Sequence, residues 1–156
     1  MIRRRASILL ETVIAITMLA IAVPVTVTWM QGCAADRADA TSSLRASAMA
    51  TAIAEHIIAD AASSSTGLGM TALQTPSVYL DTPTTGLRAR LATLLTPYTT
   101  AHFSYDITIG GLVGPEGTAT GNSLLDVCRL VTLTINFPSA RGGTLHFTLE
   151  LMVASS

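Results

Sequence analysis

Lysine is absent from this chain of 156 residues, and all nine basic residues are arginine. Charged residues make up only 12% and aromatic residues 4%. So few aromatics leave no stacking platform for single-stranded nucleic acid. A net charge of −1 leaves no basic face to argue for nucleic acid of any kind. Catalytic patterns are missing as well. There is no G-x-S-x-G turn and no glycine-rich phosphate loop after a strand. Gly110-Gly111 and Gly142-Gly143 read as turn glycines. His56, His102 and His146 are scattered, and Asp81, Asp106, Glu116 and Asp126 lack the spacing of a calcium loop. The residues therefore point to no catalytic site, no metal, no cofactor and no nucleic acid.

Long apolar runs, by contrast, are present, and hydrophobic residues reach 49%. Arg3-Arg4-Arg5-Ala6-Ser7 is a basic stub that leads directly into Ile8-Leu9-Leu10-Glu11. An apolar, uncharged stretch then runs from Thr12 to Ala35. As a helix rising about 1.5 Å per residue, its first 25 or so residues span a bilayer core of about 30 Å. The arginines keep their end in the cytoplasm by the positive-inside rule. Glu11 is the anomaly. A carboxylate near the middle of a membrane costs about 2.5–3.5 kcal/mol on insertion scales. A plain signal peptide or anchor has no use for it, so Glu11 asks for a positive partner, most simply on another chain.

This constellation resembles the N-terminus of type IV prepilins and of type II secretion pseudopilins, over the stretch up to about Met30. In that family a peptidase removes a short basic leader after a small residue and methylates the new N-terminus, and a Glu stands fifth in the mature chain. The resemblance implies cleavage between Ala6 and Ser7, a leader of Met1 to Ala6, methylation of Ser7, and Glu11 at the fifth position. Ala6 stands where the family usually has Gly, and Ser7 where it usually has Phe or Met. Losing the three leader arginines takes the side-chain charge from −1 to −4. The implied fold is α+β, a long N-terminal helix packed on a small antiparallel sheet. The implied function is that of a subunit of a type IV pilus-like filament or a secretion pseudopilus. Its partners would be other pilin or pseudopilin subunits, the prepilin peptidase, and the inner membrane with its assembly platform. The chain would cross the inner membrane once, with its C-terminal domain outside the cytoplasm, and would assemble into a periplasmic or surface filament. Ala54-Glu55-His56-Ile57-Ile58, a late hairpin and a short tail resemble minor pseudopilins, the initiating or capping subunits, more than a major subunit. The calcium site of some major pseudopilins is not carried over, because this C-terminus ends in a strand and Ala154-Ser155-Ser156.

The residues divide the chain into a leader (1–6), a membrane or filament-core half-helix (7–35), an amphipathic half-helix (36–65) and an extracytoplasmic domain (66–156). Pro24 should bend or locally break the first helix. Trp29 sits where an indole is favoured at a membrane surface. Beyond it Ala46, Met49, Ala50, Ile53 and Ile57 form a stripe at helical spacing. The helix ends near Ala62, with Gly67 available as a cap. Residues 66 to 86 read as a loop, with Val78-Tyr79-Leu80 a short edge strand. Leu87, Leu91, Leu94 and Leu95 make a second helix that stops before Pro97. Three alternating segments follow, around Phe103–Ile109, Val127–Phe137 and Leu145–Val153. Residues 110–122 link the first two, and Pro138 to Gly143 closes an antiparallel hairpin between the last two.

Cys33 and Cys128 leave two readings open, a helix-to-sheet disulfide or two separate thiols. A bridge needs Cα atoms within about 7 Å, and disulfides persist outside the cytoplasm. Two other readings of the N-terminus remain, a lipoprotein lipidated at Cys33 and a plain anchor on a binding domain. Both leave Glu11 unexplained. A twin-arginine signal lacks its usual polar surroundings.

Overall fold

The computed structural model describes the backbone of residues 2–122 and 124–154, and within those limits the side chains from residue 10 onward. Helix α1 spans Ile2–Ala62. The chain divides into two compact units, Met1–Ala40 and Thr41–Ser156, so the unit boundary falls somewhat later than the composition change at Asp36.

The first unit is helix alone. From Leu10 to Met30 every large apolar side chain is exposed. α1 is long and apolar enough here to cross a membrane. The helix continues through Pro24 as one element. Proline removes the N–H that would meet the carbonyl of Ala20. Nearby hydroxyls fold back onto the backbone: Thr26 donates to the Ala22 carbonyl at 2.8 Å and Thr28 to that of Pro24 at 2.9 Å. Such bonds satisfy hydroxyls where no water is at hand.

The second unit has an α+β architecture. The stripe expected from the spacing is its core: Ala46, Met49, Ala50, Ile53 and Ile57 have no exposed surface. It packs on an antiparallel sheet of β1 (Ser104–Val113), β2 (Cys128–Pro138) and β3 (Thr144–Ala154), in the order β1-β2-β3. β2 is central, and its alternate residues Val131, Leu133, Ile135 and Phe137 are buried against the helix. Phe137 also stacks on Phe103, their ring centroids 5.6 Å apart. The hairpin between β2 and β3 closes as expected. Ser139 donates its N–H to Gly143 and Gly142 to Ser139, and Gly142 and Gly143 take φ values of 89° and 87°, in the left-handed region open to glycine.

Four local expectations are corrected. Residues 66–86 are not a plain loop: they hold a 3-10 turn at Ala72–Gln74 and helix α2, Pro76–Asp81. Val78-Tyr79-Leu80 therefore lies in a helix and not in an edge strand. Pro76 occupies the first turn, where its missing N–H does no harm, and Tyr79 and Leu80 are both buried. Helix α3, Leu87–Thr100, runs through Pro97 instead of stopping before it. Only the carbonyl of Thr93 loses its donor, and Thr99 and Thr100 turn their hydroxyls onto the Thr96 carbonyl in the same last turn. Leu87, Leu91 and Leu95 are buried, but Leu94 is exposed. Finally, β1 continues through Gly110-Gly111 to Val113, with a register shift between Ile109 and Leu112. A bulge absorbs the one extra residue of β1.

The stripe should dominate stability. Ile53→Ala in the full chain in detergent is expected to lower the unfolding free energy by about 2–5 kcal/mol. Ile58→Ala, on the exposed face, should change it by no more than about 0.5 kcal/mol. Chemical denaturation of both variants measures the difference.

Candidate assembly and processing site

The residues singled out by sequence are spread along α1. Arg3, Arg4, Arg5, Ala6 and Ser7 fall on its first turns, and their side chains lie outside the described residues. Glu11 is described, and it is exposed. Its neighbours Leu10, Val13 and Ile14 are exposed as well, so the carboxylate stands in an apolar surface. In water such a surface is unstable, because exposed apolar area costs about 25 cal/mol per Å². In a membrane or against other apolar helices it is stable, but the carboxylate then needs a cation. Glu11 and its surroundings are therefore chemically suited to contact a positive group brought by another molecule within an apolar medium.

The two cysteines are not joined. Cys33 is an exposed free thiol on α1 and Cys128 a buried free thiol at the start of β2. Buried in its strand, Cys128 packs as a small apolar side chain. Among the described residues no cluster of three metal-ligating side chains occurs.

Sequence reasoning missed a polar latch in the second unit. Asp60 is 6% exposed near the end of α1. Arg90 of α3 grips its carboxylate with both guanidinium nitrogens, Nη1 to Oδ1 at 2.8 Å and Nη2 to Oδ2 at 2.5 Å. Tyr79 of α2 donates its hydroxyl to Oδ2 at 2.7 Å. One carboxylate thus ties three helices. Its backbone carbonyl adds a fourth tie by accepting the N–H of Gly69 at 2.8 Å. Burial on its own would raise the Asp60 carboxyl, but the hydrogen bonds from Arg90 and Tyr79 hold it below its ordinary value. Burial, reinforced by the hydrogen bond to Asp60, pushes the Tyr79 phenol up, and the same carboxylate raises Arg90. Arg90 and Tyr79 also line an open groove of about 680 Å³ rimmed by Thr66, Thr71, Thr75 and Thr82. The available sequence signal was a single acid continuing an apolar stripe: Asp60 stands three residues after Ile57 and seven after Ile53.

A second missed carboxylate organises the β1–β2 connection. Asp126 is 7% exposed and accepts the N–H groups of Thr120 and Gly121 and the hydroxyl of Thr120. Those bonds, the backbone donor of Thr120 first, hold its carboxyl below the usual range. Arg129 on the inner face of β2 is 9% exposed and donates Nη1 to the Gly110 carbonyl at 2.9 Å, which fixes the bulge. Latch, loop clamp and bulge are structural devices, and none brings a nucleophile and a base together.

The chain matches no protein-family model, no curated protein and no solved structure.

The latch has a testable energy and a testable pH dependence. Tyr79→Phe removes one hydrogen bond to a charged group and should cost about 1.5–3 kcal/mol. Arg90→Met leaves the buried carboxylate short of its cation and should cost about 3 kcal/mol. Because the folded value of Asp60 is depressed, the unfolded chain takes up the proton first, near pH 3.9. The stabilisation is complete above that pH and is lost as pH falls through the lower folded value. Thermal unfolding followed from neutral pH down to about 3 should show this acid limb, and Asp60→Asn should flatten it.

Proposed function

We propose that this chain is a pilin-like subunit, made as a membrane precursor and assembled after processing into a pilus-like filament or a type II secretion pseudopilus. The observation that carries the reading is Glu11, a carboxylate exposed within an apolar helical surface that has no internal cover. Cleavage between Ala6 and Ser7 would create a positive amine at the apolar end of the helix. In a neighbouring copy or a related subunit that amine supplies the cation Glu11 needs. The attraction is strong in a low dielectric and offsets the desolvation of both groups. It also sets the axial register between subunits.

In this reading the first unit serves twice, as a membrane span before processing and as a filament core afterwards. The apolar surface from Leu10 to Met30 suits both surroundings, since lipid and packed apolar helices are similar solvents for it. The second unit, with its latch and its sheet, forms the outward domain.

The processing step and the assembly step separate by mutation. Ala6→Leu should leave an uncut precursor in the membrane, seen as an unchanged intact mass. Glu11→Val should be cut normally and yet fail to enter filaments, seen by fractionating sheared filaments from membranes. A Glu11→Val chain that assembles as well as the parent would overturn the role given to the carboxylate.

A further inference from the structure

The two outer strands of the sheet are treated very differently. β1 is guarded. It is bulged between Ile109 and Leu112. Arg88 lies 5.8 Å from the centre of the Tyr105 ring and 3.5 Å from the Asp106 carboxylate. Tyr105 and Asp106 are adjacent in a strand and so face opposite sides of the sheet. With β2 on its other flank, β1 can be straddled only around its free edge, so Arg88 crosses that edge. β3 has no such device. It pairs with β2 through eleven consecutive positions without a bulge, from Thr144 to Ala154, and contains no proline, lysine or arginine. Proteins normally blunt a long flat edge of this kind. Its inward side chains are also incompletely covered. Leu145 is 37% exposed, and Phe147, Leu149 and Leu151 are only partly buried, whereas Ile107 of β1 is 4% exposed.

We propose that the free edge of β3 is a docking edge for β1 of a second copy of this chain, joined in parallel. β1 and β3 are both antiparallel to β2 and therefore run the same way. A simple translation of one copy brings its β1 beside β3 of another and extends the sheet. The side chains favour one register. His146 of β3 comes beside Asp106, which complements it, on the outer face. On the inner face Leu145 comes beside Tyr105 and Phe147 beside Ile107. The incoming β3 takes the place of Arg88 at the edge, and the contact given up is weak, since the Arg88 and Asp106 side chains are 40% and 67% exposed. A contact of this kind is head-to-tail and does not close on itself. It deepens the filament reading and rests on it with this chain as a repeating subunit, because repeated translation requires many copies held in one orientation.

The test uses the full chain in membranes, with Cys33→Ser and Cys128→Ala to clear the native thiols. In the proposed register Thr108 of one copy lies beside Thr148 of the next, and both are exposed. Strands about 4.8 Å apart bring cysteines at these positions within disulfide reach. A chain carrying both Thr108→Cys and Thr148→Cys should give a ladder of covalent dimers, trimers and higher species under mild oxidation. A mixture of the two single variants should stop at dimers, and neither single variant alone should cross-link. Arg88→Ala should raise the ladder yield roughly two- to fivefold, the factor an exposed ion pair is worth. His146→Asp should lower it, and adding Asp106→His should restore it. A dimer from Thr148→Cys alone would mean that β3 pairs with β3 and would overturn the proposal, as would the absence of a ladder. The intact mass of the same samples reports cleavage after Ala6. A correctly cut chain without a ladder sinks the edge contact alone, and an uncut chain without one sinks both the contact and the filament reading.

Discussion

The apolar stripe of α1 from Ala46 to Ile57 is what the second unit is built around. Its residues have no exposed surface, and the inward rows of β1 and β2 and the buried leucines of α3 belong to the same core cluster. A three-stranded sheet has one apolar face too many to stand alone in water. The helix supplies the cover, and the Asp60 latch pins the helix to α2 and α3 where the stripe runs out. Without the stripe neither the sheet nor the short helices have anything to pack on.

The first unit obeys the opposite rule. Its apolar side chains have no cover within the unit, and its one carboxylate has the wrong polarity for the surface it occupies. Both features are costly in isolation, and both become favourable in an apolar medium that also contains a cation. The functional reading follows from that pairing of costs. An anchor alone accounts for the apolar surface, and the proposed partner with a positive charge is what would account for Glu11.

Much of the architecture was legible because periodicity is a strong signal over long segments. The stripe in α1 repeats at helical spacing, and β2 and β3 alternate for eleven residues each. The features that were not legible depend on contacts between distant residues or on very short elements. Val78-Tyr79-Leu80 has strand-like composition, but Pro76 opens a helix and Tyr79 is drawn to a carboxylate nineteen residues away. Pro97 reads as a stop, yet only one carbonyl loses a donor so close to the end of α3. Gly110-Gly111 reads as a turn, yet Arg129 holds the Gly110 carbonyl and β1 continues past the bulge. For the candidate site the balance is different. Glu11 was visible as a charge in an apolar run, and its exposure fits that reading, whereas Asp60 and Asp126 matter through partners that no local pattern reveals. The two cysteines gave no local signal either way.

The central claim is that this chain is a processed subunit whose new N-terminus serves assembly. The most direct test is the intact mass and N-terminal sequence of the chain recovered from membranes, with and without a prepilin peptidase. The account predicts a chain beginning at methylated Ser7 only when the peptidase is present. A chain that begins at Met1 under both conditions, or at a lipidated Cys33, would contradict it and leave a membrane-tethered domain with no filament role.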